Sequence, residues 1–130
     1  MTATPIVSKG LEGIIVAESR LSKVDGQAGR LTYCGYDIAD LAAHATFEEV
    51  AYLLWNQRLP TAAELADLKK NLNARMVLPP DILAQMKLYP RTAHPMAVLR
   101  TAVSASGLYD PLAEDNSPAA NRQKALTITA

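Results

Sequence analysis

The chain has 130 residues, enough for one domain with a real core and too few to suggest two. Hydrophobic residues make up 49%, which favours order, while 13 Lys plus Arg balance 13 Asp plus Glu and leave no net field to attract nucleic acid or an anionic membrane surface. The single cysteine, Cys34, cannot form an internal disulfide; no basic-plus-apolar leader opens the chain, and no stretch approaches the roughly 20 apolar residues that span a bilayer, so a soluble cytoplasmic protein is expected.

Two short strands are expected first. Gly13-Ile14-Ile15-Val16-Ala17 is apolar and β-branched, and Arg30-Leu31-Thr32-Tyr33-Cys34 follows a segment punctuated by Asp25-Gly26 and Gly29. They lie too far apart for a simple two-residue hairpin. Asp37 to Ala43 is then expected as a short helix. From Thr46 the apolar period changes from 2 to 3.6. Thr46-Phe47-Glu48-Glu49 reads as a capping box, and the helix it opens puts Phe47, Val50, Ala51 and Leu54 on one face before Leu59-Pro60 ends it. Thr61-Ala62-Ala63-Glu64 repeats the device, with Leu65, Leu68 and Leu72 as the buried stripe and Asp67, Lys69 and Lys70 on more exposed sides. The short connection predicts an antiparallel pair.

Pro79-Pro80-Asp81 starts a shorter helix with apolar Ile82, Leu83 and Met86, closed at Tyr89-Pro90. His94-Pro95 begins another, expected to carry Met96, Leu99 and Val103 inward until Gly107 offers a stop. Tyr109 to Ser117 is polar and aperiodic, an ordered surface loop or linker. Ser117-Pro118 opens a last helical run to Ala130 that no Gly, Pro or polar stop closes; a natural terminal helix and a truncated one both read this way.

Chemistry-bearing residues are sparse. His94, at a helix start before a proline, could present an imidazole to a cleft, but a cap or a bond to the local backbone is the simpler account. His44 suits the C-terminal end of its short helix. Two separated histidines and one cysteine form no metal-ligand pattern, and no metal site is expected. Cys34 lacks a C-x-x-C partner and reads as a half-buried small residue. Ser104 and Ser106 lack a nucleophile elbow, and the N-terminal glycines match no phosphate loop. Glu48 and Glu49 point in different directions, and Glu49 is engaged by the cap. Lys87, Arg91 and Arg100 around the His94 segment could bind an anion, with solvated charges as the plainer reading. Phe47 and Trp55 are core or interface aromatics before they are a stacking platform.

The run Gly10 to Arg20, then Leu21-Ser22-Lys23-Val24-Asp25-Gly26, Gly29 to Tyr33, Gly35-Tyr36-Asp37-Ile38 and Leu41 closely resembles the N-terminus of citrate synthases and 2-methylcitrate synthases. Thr46 to Leu54 looks like the family's next helix, and Ala93 to Ser104 resembles its His-Pro-Met segment. The resemblance implies a mainly α, citrate synthase-like helical fold, incomplete, with a small N-terminal β element. It divides the chain into an N-terminal segment, 1–36, and the start of the large helical domain, 37–130, truncated within a helix.

The family joins acetyl-CoA, or propionyl-CoA in 2-methylcitrate synthases, to oxaloacetate and releases CoA by hydrolysis. An aspartate takes the α-proton, one histidine stabilises the enol and another polarises the oxaloacetate carbonyl. Arginines hold the dicarboxylate, one of them from the partner in the homodimer. The family's histidines lie in Asp-His-Glu-like and Leu-His-Gly-like motifs that this sequence does not contain. The resemblance therefore assigns no catalytic, cofactor-binding or metal residue here, His94 included, and implies no cofactor beyond the acyl-CoA substrate. It covers about the first third of a full-length member. A fragment of the enzyme is the first reading. The alternatives are a 2-methylcitrate synthase fragment and a non-catalytic helical interaction module built on the same scaffold.

Overall fold

A computed structural model describes residues 17–130. Of the strand expected over 13–17, all but Ala17 lies outside the described residues, as does the beginning of the Gly10 to Arg20 run; Ala17 is not in a strand. Internal packing divides the chain into two compact units, Met1–Leu59 and Pro60–Ala130.

The first unit holds an antiparallel meander of β1 (Ser22–Asp25), β2 (Arg30–Tyr33) and β3 (Tyr36–Asp37), in that order. Val24 faces Leu31 across the first pair and Tyr33 faces Tyr36 across the second. The strand expected over Arg30 to Cys34 ends one residue early because Cys34 and Gly35 form the turn, with φ 47° and 90°. Positive φ at both central residues is what a type I′ hairpin requires. Cys34 holds its left-handed conformation by donating its amide to the Leu21 carbonyl at 2.9 Å. The β1–β2 loop closes through the Ala28 amide on Asp25 Oδ1 at 2.9 Å and left-handed Gly29.

Asp37 ends the sheet and starts α1 (Ile38–His44). Its Oδ1 accepts from the Ala39 amide at 3.0 Å and its Oδ2 pairs with Arg30 at 3.2 Å. The Ala39 N–H first, and then the Arg30 guanidinium, hold the Asp37 carboxyl below the usual carboxylate range. The capping box opens α2 (Phe47–Asn56) as expected: the Thr46 amide donates to Glu49 Oε2 at 2.7 Å and the Glu49 amide to Thr46 Oγ1 at 3.4 Å. The helix ends before Leu59-Pro60, at left-handed Gln57, whose amide returns to the Leu53 carbonyl at 2.7 Å.

The buried face of α2 differs from the expected one. Leu53 is wholly buried and Tyr52 nearly so, while Phe47 is 69% exposed. Phe47 is the first helical residue, at the open end of the helix, and the Leu53 side of α2 is the one that meets the β2–β3 turn, where Cys34 Sγ lies 3.7 Å from the Leu53 carbonyl.

The second unit contains α3 (Ala62–Asn73), α4 (Pro80–Lys87), α5 (Pro95–Ser106) and α6 (Pro118–Thr129). The second capping box is made, Thr61 amide to Glu64 Oε2 at 2.8 Å, and Leu68 and Leu72 are buried as read from the spacing. Helices α2 and α3, expected as an antiparallel pair, belong to different units. In the second unit α3 packs against α6, where Arg75 donates to Gln123, and α4 packs against α5.

Two apolar faces are corrected. Ile82 is buried on α4, but Leu83 is 46% exposed. On α5 the stripe expected inward faces out, with Met96 63%, Leu99 54% and Val103 50% exposed, and Ala102 takes the buried position. Periodicity marks the apolar side of a helix without saying whether a neighbour covers it. Gly107 follows α5 but stays right-handed at φ −61°, so the chain runs on into a 3₁₀ turn, Gly107–Tyr109, rather than stopping at a left-handed cap.

Leu53→Ala is expected to cost about 2–5 kcal/mol in urea unfolding at fixed protein concentration. Met96→Ala, at an exposed position, should change stability by less than about 0.5 kcal/mol. Comparable losses from both would contradict these faces.

Candidate functional site

The His-Pro start of α5 has the greatest concentration of candidate groups. Pro95 occupies the first helical position, where its missing N–H costs nothing, and His94 is the N-cap residue. His94 Nδ1 accepts the Met96 amide at 3.2 Å, so this nitrogen is committed to the backbone in the neutral ring. The cap is thus made, as the simpler reading had it. Lys87, Arg91 and Arg100 are all exposed and form no ion pair among the described residues, the behaviour of solvated charges.

Beside this helix start, Tyr89, Pro90, Ala93, Ala97, Val98 and Thr101 line an open depression of about 150 Å³. Its walls are mostly apolar. The Thr101 hydroxyl is spent on the Ala97 carbonyl at 2.9 Å, whereas the Tyr89 hydroxyl is buried without a hydrogen-bond partner. One phenol can offer a single hydrogen bond to an acceptor. Sequence reading missed this feature because Tyr89-Pro90 carries a helix-stop signal that says nothing of where the phenol points.

The remaining candidates are dispersed. His44 Nδ1 donates to the Asp40 carbonyl at 3.1 Å in the last turn of α1. Cys34 is half-buried at its turn, with Sγ 3.8 Å and 3.7 Å from the Leu21 and Leu53 carbonyls. Ser106 donates to the Ala102 carbonyl at 2.8 Å, and Ser104 is exposed. Glu49 serves the α2 cap, Glu48 is half-buried in the same first turn, and Trp55 is half-buried while Phe47 is exposed. Among the described residues, no three His, Cys, Asp or Glu side chains gather as a metal site. No helix among them is long and apolar enough to cross a membrane.

A small antiparallel meander followed by short, well-capped helices is the class of scaffold seen in solved citrate synthases. The chain superposes on the enzyme from Thermotoga maritima with a TM-score of 0.78 at 34% identity, covering 95% of this chain and 31% of that one. With citrate synthase from Thermoplasma acidophilum, solved as a ternary complex with carboxymethyl coenzyme A and oxaloacetate, the TM-score is 0.82 at 29% identity, covering 96% of this chain and 33% of that one. Residues 10–130 match the family model described as citrate synthase, C-terminal domain, and the chain belongs to the citrate synthase family. Citrate synthase 2 of Bacillus subtilis is 44% identical over all of this chain and 34% of its own length. A 2-methylcitrate synthase of Mycobacterium tuberculosis is 43% identical over 97% of this chain and 32% of its own. The chain spans about a third of the length of the curated relatives it matches.

If His94 acts as a cap, His94→Asn should keep the stability of the chain, and His94→Ala should lower it by about 1 kcal/mol in urea unfolding. Equal stability of the two variants would contradict the cap.

Proposed function

We propose that this chain is scaffold from the N-terminal third of a citrate synthase, an acyltransferase of the tricarboxylic acid cycle. The complete enzyme condenses acetyl-CoA with oxaloacetate and water to give citrate and CoA. The observation that supports this most directly is a match running through residues 10–130 at substantial identity, with the fold of solved citrate synthases behind it. In this reading residues 1–36 form the N-terminal segment and residues 37–130 begin the large helical domain.

The chemistry needs a base at the α-carbon of the thioester, a donor to the developing enolate and a second donor to the oxaloacetate carbonyl, all converging in one cleft. His94 and His44 are each bonded to backbone at their own helices, and Lys87, Arg91 and Arg100 are exposed, which supports reading these groups as structural. On this reading the catalytic groups belong to the part of the enzyme that the 130 residues do not span. This chain contributes the framework that positions them and part of a homodimer in the cytoplasm. Use of propionyl-CoA is the second reading, supported by a 2-methylcitrate synthase relative nearly as similar as the citrate synthase one.

The purified 130-residue chain, given oxaloacetate with acetyl-CoA or propionyl-CoA, should release no thiol above the blank. A full-length polypeptide, which this reading puts at roughly three times the length by the share of its relatives that this chain covers, should release it. Turnover by the short chain would overturn the assignment of catalysis to the remainder. A native product of only 130 residues would favour the non-catalytic helical module.

A further inference from the structure

Residues 110–117 connect the 3₁₀ turn after α5 to α6, and they are ordered by short local bonds. The Leu112 amide donates to Asp110 Oδ1 at 2.8 Å and the Ser117 amide to Asp115 Oδ1 at 2.8 Å. The Ala113 amide reaches the Asp110 carbonyl at 3.1 Å and the Asp115 amide the Leu112 carbonyl at 3.0 Å. These bonds shape the segment without attaching it to α6 beyond the cap residue.

The attachment comes from two side chains of α6, three residues apart and so on one face. Lys124 Nζ donates to the Asp115 carbonyl at 2.7 Å and to the Ala113 carbonyl at 3.3 Å, and Asn121 Nδ2 donates to the Asn116 carbonyl at 3.1 Å. Lys124 is the charged member, and hydrogen bonds from an ionised donor are the stronger kind. The loop itself carries Asp110, Glu114 and Asp115 and no basic residue. Without a cation against it, its own charges repel and favour an extended, loose segment. The Asp115 carboxyl is held below the usual range, first by the Ser117 N–H and hydroxyl and then by the charge of Lys124.

We propose that Lys124 is a latch, one ammonium group that holds the acidic 110–117 loop against the first turns of α6, so that removing its charge frees the loop while the helices stay folded. This is independent of any catalytic reading.

Hydrogen exchange of the full chain tests it, because the amides of Leu112, Ala113, Asp115 and Ser117 report the loop and those within α3 report the rest of the unit. In Lys124→Met the four loop amides should exchange at least about tenfold faster than in the parent, with α3 unchanged. Lys124→Arg, which keeps the charge, should lie closer to the parent than Lys124→Met does. The proposal is overturned if the loop amides exchange alike in the parent and Lys124→Met, or if they are already unprotected in the parent. It is equally overturned if α3 accelerates as much as the loop, since the lysine would then support the whole unit, or if the arginine variant behaves like the methionine one.

Discussion

The limiting constraint on this chain is how little apolar surface it covers for itself. Among the described residues nine hydrophobic side chains are buried and sixteen large ones are exposed, so much of the apolar surface able to stabilise a fold by leaving water is still in it. Leu53 and Ile82, one in each compact unit, are the largest side chains that are fully buried. With few side chains fully buried in each unit, local devices help to define the helices. Two capping boxes, an aspartate that caps α1 while pairing with Arg30, a histidine cap and a serine cap fix where the helices begin.

That division explains what could be read beforehand. A capping box is a relation between residues three apart, so Thr46 with Glu49 and Thr61 with Glu64 were legible without any partner in view. The prolines after Ser117 and His94 marked their helix starts in the same way. Buried faces depend on what lies opposite. On α3 Leu68 and Leu72 are buried as the spacing predicts and Leu65 is half-buried, yet on α5 Met96, Leu99 and Val103 face outward and Ala102 inward, because a 3.6 period describes an amphipathic helix without saying that its apolar side is covered. Strand β1 escaped notice because Ser-Lys-Val-Asp is exposed throughout and shows no alternation, and the β2–β3 turn because Cys-Gly lacks the Asn-Gly signature of its type.

What was legible of function came chiefly through resemblance, and it was a family rather than a site. No spacing of residues pointed to an activity, while the ordered series of motifs from Gly10 to Ser104 pointed to a family, and the match over residues 10–130 establishes it. Within that frame the geometry gives His94 a structural task that its position before a proline made plausible: its Nδ1 is used on the Met96 amide. Beside α5 the Tyr89 hydroxyl is buried with no hydrogen-bond partner among the described residues.

A scaffold with this many large apolar side chains exposed should cover them by pairing with other copies when no other protein surface is supplied. Light scattering of the purified 130-residue chain across a range of concentrations measures this directly. The average mass should rise above that of a single chain as concentration increases, and the unfolding midpoint should rise with it. A chain that stays monomeric throughout, and unfolds in one cooperative step at a midpoint independent of concentration, would contradict the account.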